Sequence, residues 1–352
     1  MRRLIIGLST ALIAFSLATP AAHAENSKVI GKKSVKCKLV KKANCKGVIH
    51  HFGVKHNGDL RKINFQKAKL HHADFSGADL RGADFRGASL KHVNFAGANL
   101  KGAKFGKIPK NSKLKNVTSS CDLGCAGIDL VGANFNEANI AGVSFGSSDL
   151  SGATMVKTNA NAASFAGAKL NGVNATGADF SSAVLTSTSA VAANFSGAIL
   201  IGMNGSSSNF RATNFAESKM HRSNLVSSNF QSAIFTGADL STSNIGSSDF
   251  TSANFDSATM YSMNVRDSRD TKFINSSFVN TLLTSSMLTH TDMSGARFFG
   301  TNLSGTNLTG TIVITTTHDL FPSSVNFYLT TCMNGAQYFD VPGTCNGRYS
   351  TQ

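Results

Sequence analysis

The chain lacks the sequence features on which most enzyme active sites depend. Its 352 residues contain no glycine-rich phosphate loop, no HExxH zinc motif and no EF-hand calcium loop. Acidic residues are few, 19 Asp and Glu against 34 Lys and Arg, and no carboxylate pair suited to glycoside chemistry is evident. One match to a nucleophile elbow, at 142–146, has no strand–turn–helix pattern around it. We therefore predict a non-enzyme without a cofactor, a metal site or a small-molecule substrate.

Long apolar runs are also missing after residue 24, so no later segment is predicted to cross a membrane. The first residues contain Arg2 and Arg3, then an apolar run over 4–17 and the sequence Ala-His-Ala at 22–24. This order is typical of a secretory signal peptide. We predict cleavage after Ala24 and export to the periplasm or beyond the cell. An uncleaved membrane anchor is the alternative, although the apolar run is short for one.

Cysteine is scarce, but the six cysteines of the chain are an even number in a chain predicted to be exported. Six cysteines allow fifteen pairings. We predict that the disulfides join sequence neighbours: Cys37 with Cys45, Cys121 with Cys125, and Cys332 with Cys345. A metal site at Cys121 and Cys125 is the weaker interpretation, because no second ligand pair stands at zinc spacing.

A five-residue period dominates the rest of the chain. From Leu60 to Val313, 47 units carry Leu, Phe or another apolar residue at one position, which we call the centre. Gly205 is the only centre without an apolar side chain, and the residue two places before each centre is usually Ala, Ser or Thr. A period of five fits neither a helix nor an alternating strand, so it indicates a repeat architecture. One large and one small inward residue per unit suit a narrow, densely packed interior.

Units such as Ala-Asp-Phe-Ser-Gly at 73–77 and Ala-Asp-Leu-Arg-Gly at 78–82 resemble the pentapeptide repeat family. The resemblance implies an all-β fold, a right-handed quadrilateral parallel β-helix in which four units form a coil of 20 residues. Such coils bury their apolar side chains only by stacking. With about 4.8 Å between coils, the repeats give a rod roughly 55 Å long.

The predicted organisation follows from where the period holds and where it fails. In chain order it is a signal peptide (1–24), a basic N-terminal cap (25–56), coils (57–105), an interruption (106–127), coils (128–265), a slip (266–272), coils (273–313) and a C-terminal cap (314–352). Caps are expected because an open terminal coil exposes apolar centres and unpaired strand edges.

The interruption preserves the phase of the repeat, although its expected centres include Lys110, Lys115 and Ser120. Pro109 also removes a backbone donor from any ladder there. Two interpretations are open: one distorted coil, or a loop leaving a corner with its base tied by the neighbouring cysteine pair. The three-residue slip at 266–272 is predicted to be a corner bulge.

Positive charge is concentrated at one end of the predicted rod. Residues 25–120 carry 22 Lys and Arg with five Asp and Glu, whereas residues 121–352 carry ten and 14. Because residues 20 apart stack, side chains of this region form columns, with His72 expected under His92. The candidate partner-binding residues are Arg61, Arg81, Lys101, His71, Lys91, Lys41 and Lys42. Asp59 and Asp79 lie two residues before Arg61 and Arg81 and are expected to offset part of the repulsion.

This basic end predicts an anionic partner: a surface, a polymer or an acidic protein. A solvated basic face that serves only solubility is the alternative. Nucleic acid is not the expected anion, because aromatic residues for base stacking are not interleaved with the cations. A metal site at His71, His72 and His92 would lack a carboxylate or cysteine partner, so none is predicted. A homodimer formed through an end cap stays open.

The resemblance also implies a different function, inhibition of type II topoisomerases by mimicry of duplex DNA. The sequence departs from that pattern, because a DNA mimic needs a strongly acidic face and this chain also begins with an export signal. The version that remains is an inhibitor delivered to another cell. A polysaccharide-acting β-helix enzyme is a further alternative, disfavoured because a five-residue side offers little groove for a substrate.

Overall fold

The computed structural model of the chain describes residues 29–30, 37–49, 57–105, 127–265 and 270–312. Two short strands, β1 (Val29–Ile30) and β2 (Cys37–Lys38), pair antiparallel near the N-terminus. Beyond β2 the described chain forms single-residue parallel bridges between positions 20 apart, beginning with Asn44 and Asn64. The fold is the predicted right-handed quadrilateral parallel β-helix.

Each coil has four corners and four sides, and we name the columns that these form along the rod. Corner A holds residues 61–62, corner B 66–67, corner C 71–72 and corner D 76–77, each with the residues stacked on them in other coils. Side AB holds residues 63–65, side BC 68–70, side CD 73–75 and side DA 78–80, again with their stacked equivalents.

The centres form the core, as the period predicts. Phe65 and Phe85, one coil apart on side AB, are both fully buried and stack with ring centroids 5.3 Å apart. The backbone holds this register, because the Phe65 amide donates to the Asp84 carbonyl at 2.7 Å and the Asn64 amide donates to the Ala43 carbonyl at 2.9 Å. Each side of a coil therefore forms one backbone bridge to the coil before it and one to the coil after it.

Where a side carries Asp or Asn, its side-chain oxygen accepts a hydrogen bond from a backbone amide that the ladder between coils leaves unpaired. The Oδ1 atom of Asp74 accepts a bond of 2.9 Å from the Ser76 amide, and Oδ1 of Asn94 accepts one of 3.0 Å from the Ala96 amide. Such Asx turns start many of the corners. The second corner residue then has positive φ, as at Gly77, so glycine is common there.

The change from Ala to Ser and Thr in later coils places hydroxyl groups inside the rod. Most find the same partner, the carbonyl of a centre in the preceding coil. Thr158 Oγ1 donates to the Phe135 carbonyl at 2.6 Å, and Ser248 Oγ donates to the Leu225 carbonyl at 2.7 Å. Because a buried hydroxyl without a partner would be costly, this bond explains why the interior tolerates them.

The coils on the two sides of the interruption stack directly on each other. Asn94 bridges Asn134, and the Phe95 amide donates to the Asn134 carbonyl at 2.7 Å, although the partners are separated by one extra coil of sequence. No further coil stands between these two, and residues 106–126 of the interruption lie outside the described chain. The described chain leaves at Phe105 and resumes at Gly127, which places the exit at corner B.

The slip leaves the stacking intact in the same way. Asp249 bridges Lys272, 23 residues later, and the rings of Phe250 and Phe273 stack at 5.1 Å. The three extra residues follow Val265, a centre of side AB, so this break also falls at corner B. Both breaks in the period therefore fall at the same corner, between side AB and side BC.

The stacking also reaches into the segment assigned to the N-terminal cap. Lys42 donates from its amide to the Arg61 carbonyl at 2.9 Å, and Cys45 is buried one coil before Phe65. The predicted disulfide between Cys37 and Cys45 is present. The other two predicted disulfides, the signal peptide and the C-terminal cap lie outside the described residues.

Candidate anion-binding surface

The described coils differ sharply in charge along the rod. Residues 37–49 and 57–105 contain 13 Lys and Arg with four Asp, whereas residues 127–265 and 270–312 contain seven Lys and Arg with ten Asp and Glu. Because the coils stack in sequence order, the basic residues lie together at one end of the rod.

Arg61 and Arg81 at corner A are paired with carboxylates of side DA. Arg61 Nη2 lies 2.6 Å from Asp59 Oδ2 and its Nε lies 3.6 Å from Asp79 Oδ2, while Arg81 Nη2 lies 2.6 Å from Asp79 Oδ2. Hydrogen bonds from the guanidinium groups hold the pKa of both carboxyls below its usual value. The two arginines thus turn toward side DA, and their charge is offset within the chain.

Arg86 at corner B repeats this arrangement with Asp84 on side AB. Arg86 Nη2 lies 2.6 Å from Asp84 Oδ2, which also accepts a bond of 2.7 Å from Gln66 Nε2. Burial raises the pKa of the Asp84 carboxyl, but the bonds from Arg86 and Gln66 outweigh it and the pKa falls below the usual value. Every described arginine of this end is therefore held by an aspartate two residues before it.

The lysines behave differently, since none of those on these coils forms an ion pair with another described residue. Nine of them form what we call the lysine surface, and all are exposed except the half-buried Lys91. They are Lys41, Lys42, Lys62 and Lys101 at corner A, Lys104 on side AB, Lys46 and Lys67 at corner B, Lys69 on side BC, and Lys91 at corner C.

The residues predicted from the sequence fall within this region, but not all in one role. Lys41 lies in register with Arg61, so corner A carries one column of Lys41, Arg61, Arg81 and Lys101. The two lysines of the column are exposed, while its two arginines hold the aspartates of side DA. Corner A therefore offers lysine ammonium groups, rather than its arginines, to a partner.

Corner C carries the predicted histidines. The rings of His72 and His92 stack with centroids 4.9 Å apart and an angle of 22°. His71 bonds through Nε2 to Ser89 Oγ on side BC. Gly132 lies next in the column, where an added Cβ would come within 2.6 Å of His92 Nδ1. The small residue at 132 thus makes room for the imidazole stack.

Corner D of the same coils has no cation among its described residues. It presents Ser76, Gly77, Ala96 and Gly97, and Asp74 lies on the adjoining side CD. The lysine surface therefore covers two adjoining sides, AB and BC, and within the described coils of 57–105 the other two sides include no lysine.

Five lysines of this surface were not among the candidates predicted from the sequence, because only some of the columns were followed. They are Lys46, Lys62, Lys67, Lys69 and Lys104. The same 20-residue spacing, applied to every lysine, would have placed them on two adjoining sides.

Other chemistry is not evident in the described part of the chain. Within these ranges, no group of three or more His, Cys, Asp or Glu side chains is placed to hold a metal ion. Among the same residues, no helix has the length and hydropathy that a membrane span requires.

The pentapeptide-repeat family model matches the chain in eight overlapping copies. The matched residues are 56–87, 68–106, 128–165, 163–202, 191–225, 208–245, 233–269 and 276–312. The chain belongs to the pentapeptide repeat family. Members of this family generally act as non-enzymatic scaffolds. The matches stop at 106 and resume at 128, so they leave out the interruption of the repeat.

Solved pentapeptide repeat proteins resemble the chain at low identity. HetL, a protein involved in heterocyst differentiation regulation from the cyanobacterium Nostoc sp., is 20% identical, with 79% of this chain and 92% of that chain covered and a TM-score of 0.21. Full-length QnrB1, a plasmid-mediated fluoroquinolone resistance protein, is 14% identical, with 75% and 93% covered and a TM-score of 0.22. A thylakoid-lumen protein from Arabidopsis thaliana is 21% identical, with 49% and 68% covered and a TM-score of 0.11. A comparison with the curated proteins found no match.

Proposed function

We propose that this chain is an exported, non-enzymatic scaffold that binds an anionic partner through the lysine surface of its first coils. The observation that carries the proposal is the division between arginine and lysine. The arginines of the first coils are bound to aspartates within the chain, whereas the nine lysines of the lysine surface form no ion pair among the described residues. Clustered like charges repel one another and favour an anion that neutralises them.

Folding alone does not explain this clustering. The later coils build the same corner B with Gly146 and Ala166 in the column of Lys46, and with Ser147 and Gly167 in the column of Lys67. Lysine at the equivalent Lys46 and Lys67 is therefore not needed for the turn. Its place in the first coils is better explained by a partner there than by the β-helix itself.

Export is supported by the signal-peptide pattern of residues 1–24. The disulfide between Cys37 and Cys45 agrees with an oxidising compartment. Mass spectrometry of the chain recovered from the periplasm of an expressing bacterium should show an N-terminus at Glu25. A chain that stays in the cytoplasm with residues 1–24 attached would contradict export.

DNA mimicry is not favoured by the charge of the described coils. Lysines stand next to aspartates on side BC of the later coils, where Lys169 Nζ lies 3.6 Å from Asp149 Oδ2 and Lys272 stands between Asp249 and Asp292. A mimic of duplex DNA needs regularly placed uncompensated negative charge. Gyrase supercoiling in the presence of excess protein is expected to be unaffected.

The direct test of the binding proposal compares two variants with the same change in net charge. The first replaces Lys62, Lys67, Lys69 and Lys104 of the lysine surface by Ser. The matched control replaces the four lysines of the later coils, Lys157, Lys169, Lys219 and Lys272, by Ser. Binding to long-chain polyphosphate and to vesicles of phosphatidylcholine and phosphatidylglycerol is measured by co-sedimentation.

We expect the first variant to bind at least about tenfold more weakly, since each lysine near an anionic surface contributes about 1 kcal/mol. The control should bind within about twofold of the wild type, because its lysines are spread over later coils, each more than one coil beyond Lys104. Equal losses in both variants would mean that only net charge matters. No loss in either would leave the lysines as solubilising residues.

A further inference from the structure

The lysine surface bends around the rod. It begins at corner A with Lys62 and Lys101, crosses side AB at Lys104, passes corner B at Lys67 and continues over side BC from Lys69. Lys91 and the imidazole column of corner C end it. The cations thus occupy three corners of a four-sided body.

This shape decides between a flat and a flexible partner. Two sides that meet at a corner face in different directions, so a planar surface can lie against only one of them at a time. A bilayer placed on side AB meets corners A and B but leaves Lys69 and Lys91 facing water. Charges farther from a surface than about a Debye length, near 8 to 10 Å, are largely screened from it.

We propose that the partner is a flexible linear polyanion, a chain of phosphates or carboxylates, that wraps around corner B and neutralises sides AB and BC together. This proposal rests on the proposed function and names the class of its partner. A polymer that bends at the corner can contact lysines on both sides and release its counterions over the whole surface. A bilayer or a rigid acidic protein face would use one side.

The chemistry of the surface narrows the polymer further. Stacking platforms for bases are made of exposed aromatic rings. The Phe side chains of these coils, such as Phe65, Phe85 and Phe105, are buried centres. The groups between the lysines include Gln66 and Arg86 at corner B and the exposed Ile49 beside Lys69, but no exposed Phe, Tyr or Trp ring among the described residues of these coils. This surface fits a polymer that is recognised through its charged backbone alone. Single-stranded nucleic acid is therefore less favoured, and the experiment includes it as a probe.

The experiment uses two variants that remove the same number of lysines from opposite ends of the surface. The AB variant carries Lys62→Ser and Lys101→Ser, and the BC variant carries Lys69→Ser and Lys91→Ser. The probes are long-chain polyphosphate, tripolyphosphate, single-stranded DNA and the phosphatidylglycerol vesicles. Affinity is measured over a range of salt concentrations with the full mature chain, and circular dichroism melting checks that each variant is folded.

With long-chain polyphosphate, we expect both variants to bind several-fold more weakly and each to lower the magnitude of the salt slope by about 1.5, because two phosphate contacts are lost. Lys→Arg replacements at the same four positions keep the charge and should restore binding. Tripolyphosphate is too short to span both sides and should bind weakly. Single-stranded DNA should bind no more tightly than polyphosphate at equal charge.

Two contrary results have different meanings. If long-chain polyphosphate binding falls in one variant only, or if the vesicles bind more tightly than the polymer, the partner lies on one side and wrapping is wrong, while the anionic-partner proposal stands. If wild-type protein binds none of the probes at low salt, both proposals fail. Tighter binding of DNA than of polyphosphate would contradict the polymer class named here.

Discussion

Phe105 stacks on Phe145, with ring centroids 5.1 Å apart, although the two residues are separated by twice the usual 20-residue coil. The same offset joins Asn99 to Asn139. The core therefore continues past the interruption without a gap, and the rod is defined by its coils rather than by the number of residues between them.

Deleting residues 106–125 should leave the rod folded. Phe105 would then be followed by Ala126 and Gly127, which restores the normal spacing from a centre to corner B. Because the coils on the two sides of the deletion already contact each other and a shorter connection costs less closure entropy, the melting temperature should stay the same or rise slightly. A deletion of 106–127, two residues longer, removes the corner and should lower it by several degrees. A large loss in the shorter deletion would show that the loop supports the coils.

Gly205 is a centre without a side chain because its neighbours fill the space. A Cβ added there would lie 3.1 Å from Met203 Cε and 3.2 Å from Phe210 Cε2. We expect Gly205→Leu to lower the free energy of unfolding by about 1–3 kcal/mol through overpacking. Adding Met203→Ala should make room, so the double variant should be more stable than the sum of the single effects by about 1 kcal/mol. Additive losses in denaturant unfolding would contradict this explanation.

Two residues at corner C provide a test of the corner backbone. Gly172 has φ near +63° and nothing within 4 Å of an added Cβ, and Ala192, one coil later, has φ near +55°. A side chain in this left-handed region costs about 1 kcal/mol or more. Gly172→Ala should therefore destabilise the rod and Ala192→Gly should stabilise it, each by about 1 kcal/mol. Chemical denaturation that gave the same sign for both would show that packing, not backbone strain, decides.

The Asp84–Arg86 pair should make stability depend on pH. The pKa of the Asp84 carboxyl is lower in the folded chain than its usual value near 3.9. The pair therefore stabilises the fold above the unfolded pKa, and this stabilisation is lost as the pH falls through the folded value. Asp84→Asn should cost about 1 kcal/mol at neutral pH and almost nothing well below pH 3. A difference in melting temperature that stays constant from neutral to acid pH would contradict this assignment.

The sequence predicts the fold closely, because each unit repeats the same local chemistry. Phe65 and Ala68 are recognisable as inward residues from their spacing alone. The interruption could not be resolved in the same way, since a distorted coil and a 20-residue loop leave the repeat in the same phase. The first stacked coil, which has Cys45 as a centre, was not predicted, because a cysteine is not easily recognised as an apolar centre of the repeat.

The candidate surface was harder to predict than the fold. Column spacing placed Arg61 above Arg81, but it could not show that both guanidinium groups bond to Asp59 and Asp79 and turn toward side DA. That choice depends on side-chain geometry between adjoining columns. Because the arginines already bond to aspartates, we expect an anionic partner to contact lysines such as Lys69 and Lys104 instead.

The salt dependence of polyanion binding by the mature wild-type chain tests the central claim most directly. If the lysine surface neutralises four to six anionic groups, the logarithm of the association constant should fall with the logarithm of the salt concentration with a slope of about −3 to −5. A slope near zero, or binding that is lost to the same extent in the control variant of the later coils, would contradict an electrostatic surface at this end of the rod.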